Sequence, residues 1–272
     1  MTDKQNAGFI GAGNMGTALV KGLIESGVYS KEQLGASDMD TSALKRMAEQ
    51  LGVKSYSSNS DLVRQCSTVV LSVKPQNMKD VLEEVKDGIR DDHLIISIAA
   101  GIPLRMIHDV LKRDIPLIRV MPNTPALVQK GVSALAAGAF ATQKHMAIAR
   151  AIFDAVGDTV DVEETMMDAV TALSGSGPGY VFRMMECMVD AGAGVGLERE
   201  TALSLVIQTF LGAAHLAKTS EHSLSHLREM VTSPGGTTEA GLGMFDKMGL
   251  EETIRKAVEA ACNRSVELGK ND

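Results

Sequence analysis

"GFIGAGNMG", residues 8–16, joins a short apolar run to a turn of the pattern G-x-G-x-x-G, Gly11-Ala12-Gly13-Asn14-Met15-Gly16. A strand predicted over 7–10 precedes the turn. A helix predicted over 14–26 follows it, with Ala18, Leu19, Leu23 and Ile24 on one apolar face. In that setting each glycine has a physical task. Gly11 permits the tight turn, Gly13 lets a pyrophosphate approach the backbone, and Gly16 lets the helix pack closely on the strand. The helix N-terminus then presents unpaired N–H groups and a favourable dipole to a phosphate. Residues Gly11 to Met15 are therefore read as a dinucleotide cradle.

The pattern around this turn repeats. Strands are predicted at 34–37, 53–56, 68–73, 94–98, 116–121, 132–137 and 158–162, and amphipathic helices at 42–51 and 143–156. Strands alternating with helices point to a mostly parallel sheet covered on both faces. After residue 162 the strand signal stops, and nearly every window to the end reads as helix. Two domains are expected, 1–162 as the α/β dinucleotide-binding part and 163–272 as an all-α part. The chain holds 16 Met and no Trp, so methionine has to fill gaps in the helical half. "LVIQTFLGAAHLA" (205–217) is apolar nearly all round, which requires cover on several faces and points to a homodimer or a larger homo-oligomer built on dimers.

The bulk numbers exclude several classes. A net charge of −7 argues against nucleic acid, whose phosphates need clustered Lys and Arg. Cys66, Cys187 and Cys262 form no CxxC pair, so neither a disulfide framework nor a zinc site is expected, and all three are read as buried thiols in a reducing compartment. His222 and His226 lie four residues apart without a glutamate motif or third ligand, so no metal is expected there. The opening "MTDKQNAGFIGAG" lacks the basic-then-apolar form of a secretory leader, and no long uncharged apolar run occurs. A cytoplasmic protein without membrane contact is expected. "EEVKDGIRDD" (83–92) reads as a solvated charged face.

Ligands of such sheets sit at the C-terminal ends of the strands. Those ends here carry Ser37-Asp38, Val73-Lys74-Pro75, Ala99-Ala100-Gly101 and Asn123 within "RVMPNTP". Small residues at 99–101 let a nicotinamide ring lie against the backbone, with Lys74 as a charged neighbour. Asn123, in a turn bounded by prolines, is a candidate for holding the nicotinamide ribose or amide, or is simply a turn residue. An acidic residue after the second strand bonds the ribose of NAD and repels the extra phosphate of NADP. Ser37 could instead receive that phosphate, and Asp38 lies further from Gly11 than usual, so NADPH and NADH both stay open.

Six stretches in order, "GFIGAGNMG", "SVKPQ", "SIAAGI", "RVMPNTP", "ALSGSGPGYVF" and "VTSPGGTTEAGL", make the chain resemble pyrroline-5-carboxylate reductase. The resemblance implies an NAD(P)H-dependent imine reductase with an N-terminal Rossmann-like domain and a C-terminal helical dimerisation domain. It would reduce 1-pyrroline-5-carboxylate to proline, the last step of proline synthesis. By position it implies that Asn59 lies near the adenosine ribose. It also implies that Glu164, Ser176 of the "SGSGP" turn, Ser233, Gly235, Gly236, Thr237 and Thr238 lie near the substrate. Three positions depart from the family pattern. Asp38 stands where many members carry a residue friendlier to the NADP phosphate. Gly179 replaces a common Ala, and Met230 takes a place where some members put a polar residue against substrate.

"TSPGGTTEAG" (232–241) then acquires a task. Its glycines, its hydroxyls and the helix predicted to start near Thr237 form a second, smaller anion site, suited to the substrate carboxylate. The resemblance makes Thr238 the group touching the ring nitrogen and the expected catalytic residue. By the residues alone, Glu163-Glu164 reads as an acidic helix start. A β-hydroxyacid dehydrogenase shares this layout but relies on a lysine in its helical half, and no lysine falls between Lys144 and Lys218. A non-catalytic dinucleotide sensor would have no use for the second turn.

Overall fold

The computed structural model describes residues 6–270. The opening segment 1–5, part of the stretch read for a leader, lies outside them. The described chain forms two compact units. One runs through Ser176 and resumes at Ala261, and the other is Gly177–Ala260.

The first unit is built on an 8-stranded sheet: β1 (Ala7–Ile10), β2 (Leu34–Ser37), β3 (Lys54–Ser55), β4 (Thr68–Leu71), β5 (Leu94–Ser97), β6 (Leu117–Met121), β7 (Gly131–Ala137) and β8 (Gly157–Asp161). The strand order is β3-β2-β1-β4-β5-β6-β7-β8, and every pairing is parallel except β6 with β7. Each expected strand is present. β3 is cut to two residues, because Lys54 and Ser55 are exposed and have no apolar face to extend. β1, β4 and β5 are buried at every position, the near-continuous apolar pattern of strands covered on both faces.

Alternation along the strands divides the core. Phe9 and Val70 face one cluster, with Leu19, Leu23, Ile118, Ile152 and Phe153. Ile10 and Leu71 face the other, with Leu62, Met78, Leu82, Ile95 and Ile107. The first cluster is covered by α1 (Asn14–Glu25), α2 (Thr41–Leu51) and α6 (Gln143–Asp154), and the second by α3 (Asn59–Gln65), α4 (Met78–Val85) and α5 (Leu104–Leu111). Caps fix the helix starts. Asp40 accepts from Ser42 N and Ala43 N at the head of α2, and Ser58 Oγ accepts from Asp61 N at the head of α3. Cys66 is buried in the second cluster, where desolvation pushes its thiol up to about 11. Cys262 is half-buried and Cys187 is exposed, which corrects the expectation of three buried thiols.

The first unit extends past the 162/163 division expected from the end of the strand signal, for a packing reason. A short turn at Glu164–Met166, α7 (Met167–Val170) and a wide π-type turn at Thr171–Gly175 carry the chain along the sheet. Met167 is buried against Ala134 and Ala136 of β7, and Gly175 lies against Met121 of β6. The end of the last helix also belongs to this unit. Ser265 Oγ donates to Asp168 Oδ1 at 2.6 Å, and a Cβ at Gly269 would stand 2.8 Å from the carbonyl of Gly101.

The second unit is helical: α8 (Gly177–Gly194), α9 (Arg199–Thr219), α10 (Leu224–Met230), α11 (Thr237–Lys247) and the first part of α12 (Leu250–Lys270). Its own core is small, with Val189, Ala202 and Val206 buried beside Met185 and Phe210. In the isolated chain α9 exposes most of the apolar surface that was expected to be covered, including Leu205, Ile207, Leu211 and Leu216. Leu211 is 62% exposed. An apolar surface of this kind on one helix marks an association site. A light-scattering mass measurement should give at least twice the chain mass, and Leu211→Arg should shift the population towards single chains.

Candidate active site

The sheet order places the loops after β1 and β4 side by side at the point where the strand sequence reverses. Gly11 has φ +111°, donates its N–H to Ser37 O at 2.8 Å, and has the carbonyl of Ser72 2.5 Å from where a Cβ would lie. Ser72 Oγ donates to the carbonyls of Ile10 and Gly11. A Cβ at Gly16 would stand 2.4 Å from Gly11 O, so only glycine allows α1 to start this close to β1. Gly13 differs from both: a Cβ there would meet nothing within 4 Å. It faces open space at the head of α1, which has no side-chain cap and no acidic residue in its first turn. Free N–H groups, a helix dipole and room for close backbone approach fit a dinucleotide pyrophosphate held by Gly11, Ala12, Gly13, Asn14 and Met15.

The other expected cofactor residues lie at the same sheet edge. Ser37 ends β2 and Asp38 follows it, Val73, Lys74 and Pro75 follow β4, Ala99, Ala100 and Gly101 follow β5, and Asn123 follows β6. Lys74 is exposed, Ala99 is buried, and Gly101 takes φ +78°. Asn123 ties two segments together. Its Oδ1 accepts from Val132 N at 2.9 Å and its Nδ2 donates to Ser174 O at 3.3 Å. Asp38 turns towards the glycine loop, with Oδ2 accepting from Ala12 N at 2.6 Å and Oδ1 from Asp40 N at 2.8 Å. It is therefore part of the loop's support. Ser37 Oγ donates to Asn59 Oδ1 at 2.7 Å, and Asn59 donates through N and Nδ2 to Glu84. Glu84 lies on the exposed face expected for 83–92 but bonds Asn59, while Val85 and Ile89 depart from that face and are buried.

Glu164 has a structural task. Its Oε1 accepts from Leu104 N at 2.7 Å, at the head of α5, and lies 3.6 Å from Nη1 of the buried Arg119. The acidic pair does begin a helical turn, but its carboxylate reaches another helix. Ser174 and Ser176 are half-buried at the end of the first unit.

The second glycine turn belongs to the helical unit. Gly236 N donates to Ser233 O at 2.9 Å and closes the turn, and Gly235 has φ +71°. α11 starts at Thr237 with Gly236 as its N-cap and no side-chain cap bond. Gly235 N donates to Glu239 Oε2 at 2.7 Å, so the turn already receives one carboxylate. Thr232 spends its hydroxyl on Arg228 O. The hydroxyls of Ser233, Thr237 and Thr238 make no hydrogen bond among the described residues, and Thr238 is half-buried. The turn therefore offers unspent hydroxyls and the first N–H groups of a helix, which have no partner inside it. The rings of His222 and His226 meet at a tilt, with centroids 4.5 Å apart. Among the described residues no group of three or more His, Cys, Asp or Glu is placed to hold a metal ion, and no helix is long and apolar enough to cross a membrane.

The fold and the glycine-loop site define a Rossmann-type dinucleotide-dependent oxidoreductase with a helical second half. The model of the family "NADP oxidoreductase coenzyme F420-dependent" matches residues 6–101, and that of "Pyrroline-5-carboxylate reductase dimerisation" matches 164–268. Pyrroline-5-carboxylate reductase of Methanosarcina acetivorans is 42% identical over 268 residues, 98% of this chain and 99% of the relative. A solved pyrroline-5-carboxylate reductase from Coxiella burnetii aligns with TM-score 0.93 at 38% identity, covering 98% of this chain and 99% of that one. The Plasmodium falciparum structure, solved with NADP bound, aligns with TM-score 0.87 at 32% identity, covering 97% and 98%. The chain belongs to the pyrroline-5-carboxylate reductase family, and its helical half is a dimerisation domain that makes it a homo-oligomer.

Two variants separate ligand contact from structural support. Gly13→Ala should leave the melting temperature unchanged, because the methyl group meets no protein atom. It should nevertheless weaken dinucleotide binding by on the order of tenfold by blocking close approach of the pyrophosphate, measurable by calorimetric titration. Glu164→Ala removes the carboxylate at the head of α5 and leaves the buried Arg119 without its ion pair. Chemical denaturation should show a loss of roughly 2–4 kcal/mol.

Proposed function

We propose that the chain catalyses the NAD(P)H-dependent reduction of 1-pyrroline-5-carboxylate to L-proline, the final step of proline biosynthesis, with the two glycine turns dividing the work. The division follows the sequence: residues 1–162 serve the cofactor, and 163–272 serve substrate binding and dimerisation. When bound, NADPH or NADH supplies the hydride for the imine carbon. Gly11 to Met15 would hold the pyrophosphate, Ser37, Asp38 and Asn59 the adenosine ribose, and Val73, Lys74, Pro75, Ala99, Ala100, Gly101 and Asn123 the nicotinamide half. The open face at Gly13 and the uncapped head of α1 support this placement.

The observation that carries the substrate assignment is the 233–238 turn, whose unspent hydroxyls stand at a helix start beside a backbone N–H that already binds a carboxylate. The N–H groups of Thr237 and Thr238 and the Ser233 hydroxyl would receive the substrate carboxylate. Gly235 and Gly236 allow it to approach the backbone. Thr238 would hydrogen-bond the ring nitrogen, orienting the imine and stabilising the charge that develops there. Ser176 would lie near the substrate. For Glu164 the structural bonds to Leu104 and Arg119 use one oxygen, so its contribution to the substrate would be positional. The cysteines are all free, which suits a reducing, cytoplasmic setting.

The reading is tested by following NADH and NADPH consumption with pyrroline-5-carboxylate. A dehydrogenase of hydroxy acids or a non-catalytic sensor would consume neither. Thr238→Ala should reduce kcat by on the order of 100-fold while dinucleotide affinity stays unchanged. Wild-type turnover in this variant would remove Thr238 from the catalytic role.

A further inference from the structure

The corner after β2, where the adenosine ribose of a Rossmann-bound dinucleotide lies, is built almost entirely from hydrogen-bond acceptors. Asp38 is half-buried, and both of its carboxylate oxygens accept backbone N–H groups, from Ala12 and Asp40. Those bonds fix the side chain against the cradle loop, so it cannot swing away from an incoming ligand without releasing that loop.

Ser37 and Asn59, two neutral residues at this corner, are committed elsewhere. A carboxylate only accepts, so the Asn59 atom facing Glu84 must be the amide nitrogen, bonded at 2.6 Å. That leaves Oδ1 facing Ser37 and forces the Ser37 hydroxyl to donate to it. The Ser37 hydrogen is thus spent, and the residue is 1% exposed. The backbone N–H of Asn59 is also given to Glu84.

The charges bonded into this corner are carboxylates. Asp38, Asp40 and Glu84 form no ion pair with Lys, Arg or His among the described residues. Lys54, on the neighbouring β3, lies over the Tyr56 ring with Nζ 4.6 Å from its centroid. Lys21 and Arg46 line a groove between α1 and α2 that reaches Ala12 and Asn14, and neither is ion-paired to Asp38, Asp40 or Glu84. A ribose with free hydroxyls can donate to Asp38. A ribose carrying a phosphate of nearly two negative charges meets a fixed carboxylate and spent donors.

We propose that this chain prefers NADH to NADPH and that Asp38 sets the preference. The proposal rests on the dinucleotide site described above and adds to it the identity of the cofactor.

Calorimetric titration of the full-length protein with each dinucleotide, without imine substrate, provides a readout independent of turnover. NADPH should bind more weakly than NADH by on the order of tenfold or more, and the gap should shrink as salt screens the repulsion. Asp38→Asn keeps an acceptor for the Ala12 N–H but removes the charge, and should narrow the gap to about threefold or less. Asp38→Ser should do the same, and circular dichroism confirms that each variant is folded. NADPH binding as tightly as NADH, or more tightly with that affinity lost in Arg46→Ala, overturns the preference while leaving the reductase assignment intact. An unchanged gap in both Asp38 variants overturns the role of Asp38. Failure of the wild type to bind either dinucleotide overturns the reductase reading as well.

Discussion

Where β1 and β4 end, three pieces of backbone meet with no room for a side chain between them. The Gly11 carbonyl lies where a Cβ of Gly16 would be, the Ser72 carbonyl lies where a Cβ of Gly11 would be, and the Ser72 hydroxyl bonds the carbonyls of Ile10 and Gly11. This closure fixes the start of α1 against the sheet and leaves Gly13 facing outward. The loops after β2, β4, β5 and β6 share that edge because the sheet order brings them there. If the closure were loosened, the cradle would lose both its shape and the orientation of its free N–H groups.

Much of this was legible in the sequence because the signals were local. Phe9 and Ile10 read as a buried strand, Gly11 to Gly16 as the turn that follows it, and Thr237 as a helix start after two glycines. What stayed hidden were bonds between segments far apart in the chain. Nothing around Glu164 announces that its carboxylate caps the helix at Leu104, sixty residues earlier. Nor does the charge run at 83–92 show that Glu84 bonds Asn59. Such contacts depend on which loops the sheet juxtaposes, and periodicity carries no information about that. α9 is a different case. Its apolar sequence calls for cover that a single chain does not provide, so Leu205 and Leu211 remain exposed.

The two glycine turns solve the same problem at different scales. Both put a helix start behind residues with small or absent side chains, and both leave N–H groups free for negative charge. They differ in their neighbours. The first has Asp38 bound to its backbone and no hydroxyl at its tip, while the second has hydroxyls from Ser233, Thr237 and Thr238. A turn lined with hydroxyls can discriminate among small anions by hydrogen-bond direction, which a bare glycine cradle does less well. That contrast fits a cofactor gripped along its length and a small substrate oriented at a point.

The last helix ends within the sheet-containing unit, with Ser265 bonded to Asp168 and Gly269 against Gly101. The unit that opens the chain is thus completed by residues that follow the whole helical unit in sequence. Its sheet and cradle are synthesised early, yet the backbone flanking Gly101 gains its final neighbour only after the whole helical unit has been translated. Folding during synthesis can therefore assemble most of the first unit, but its completion waits until the end of the last helix has emerged.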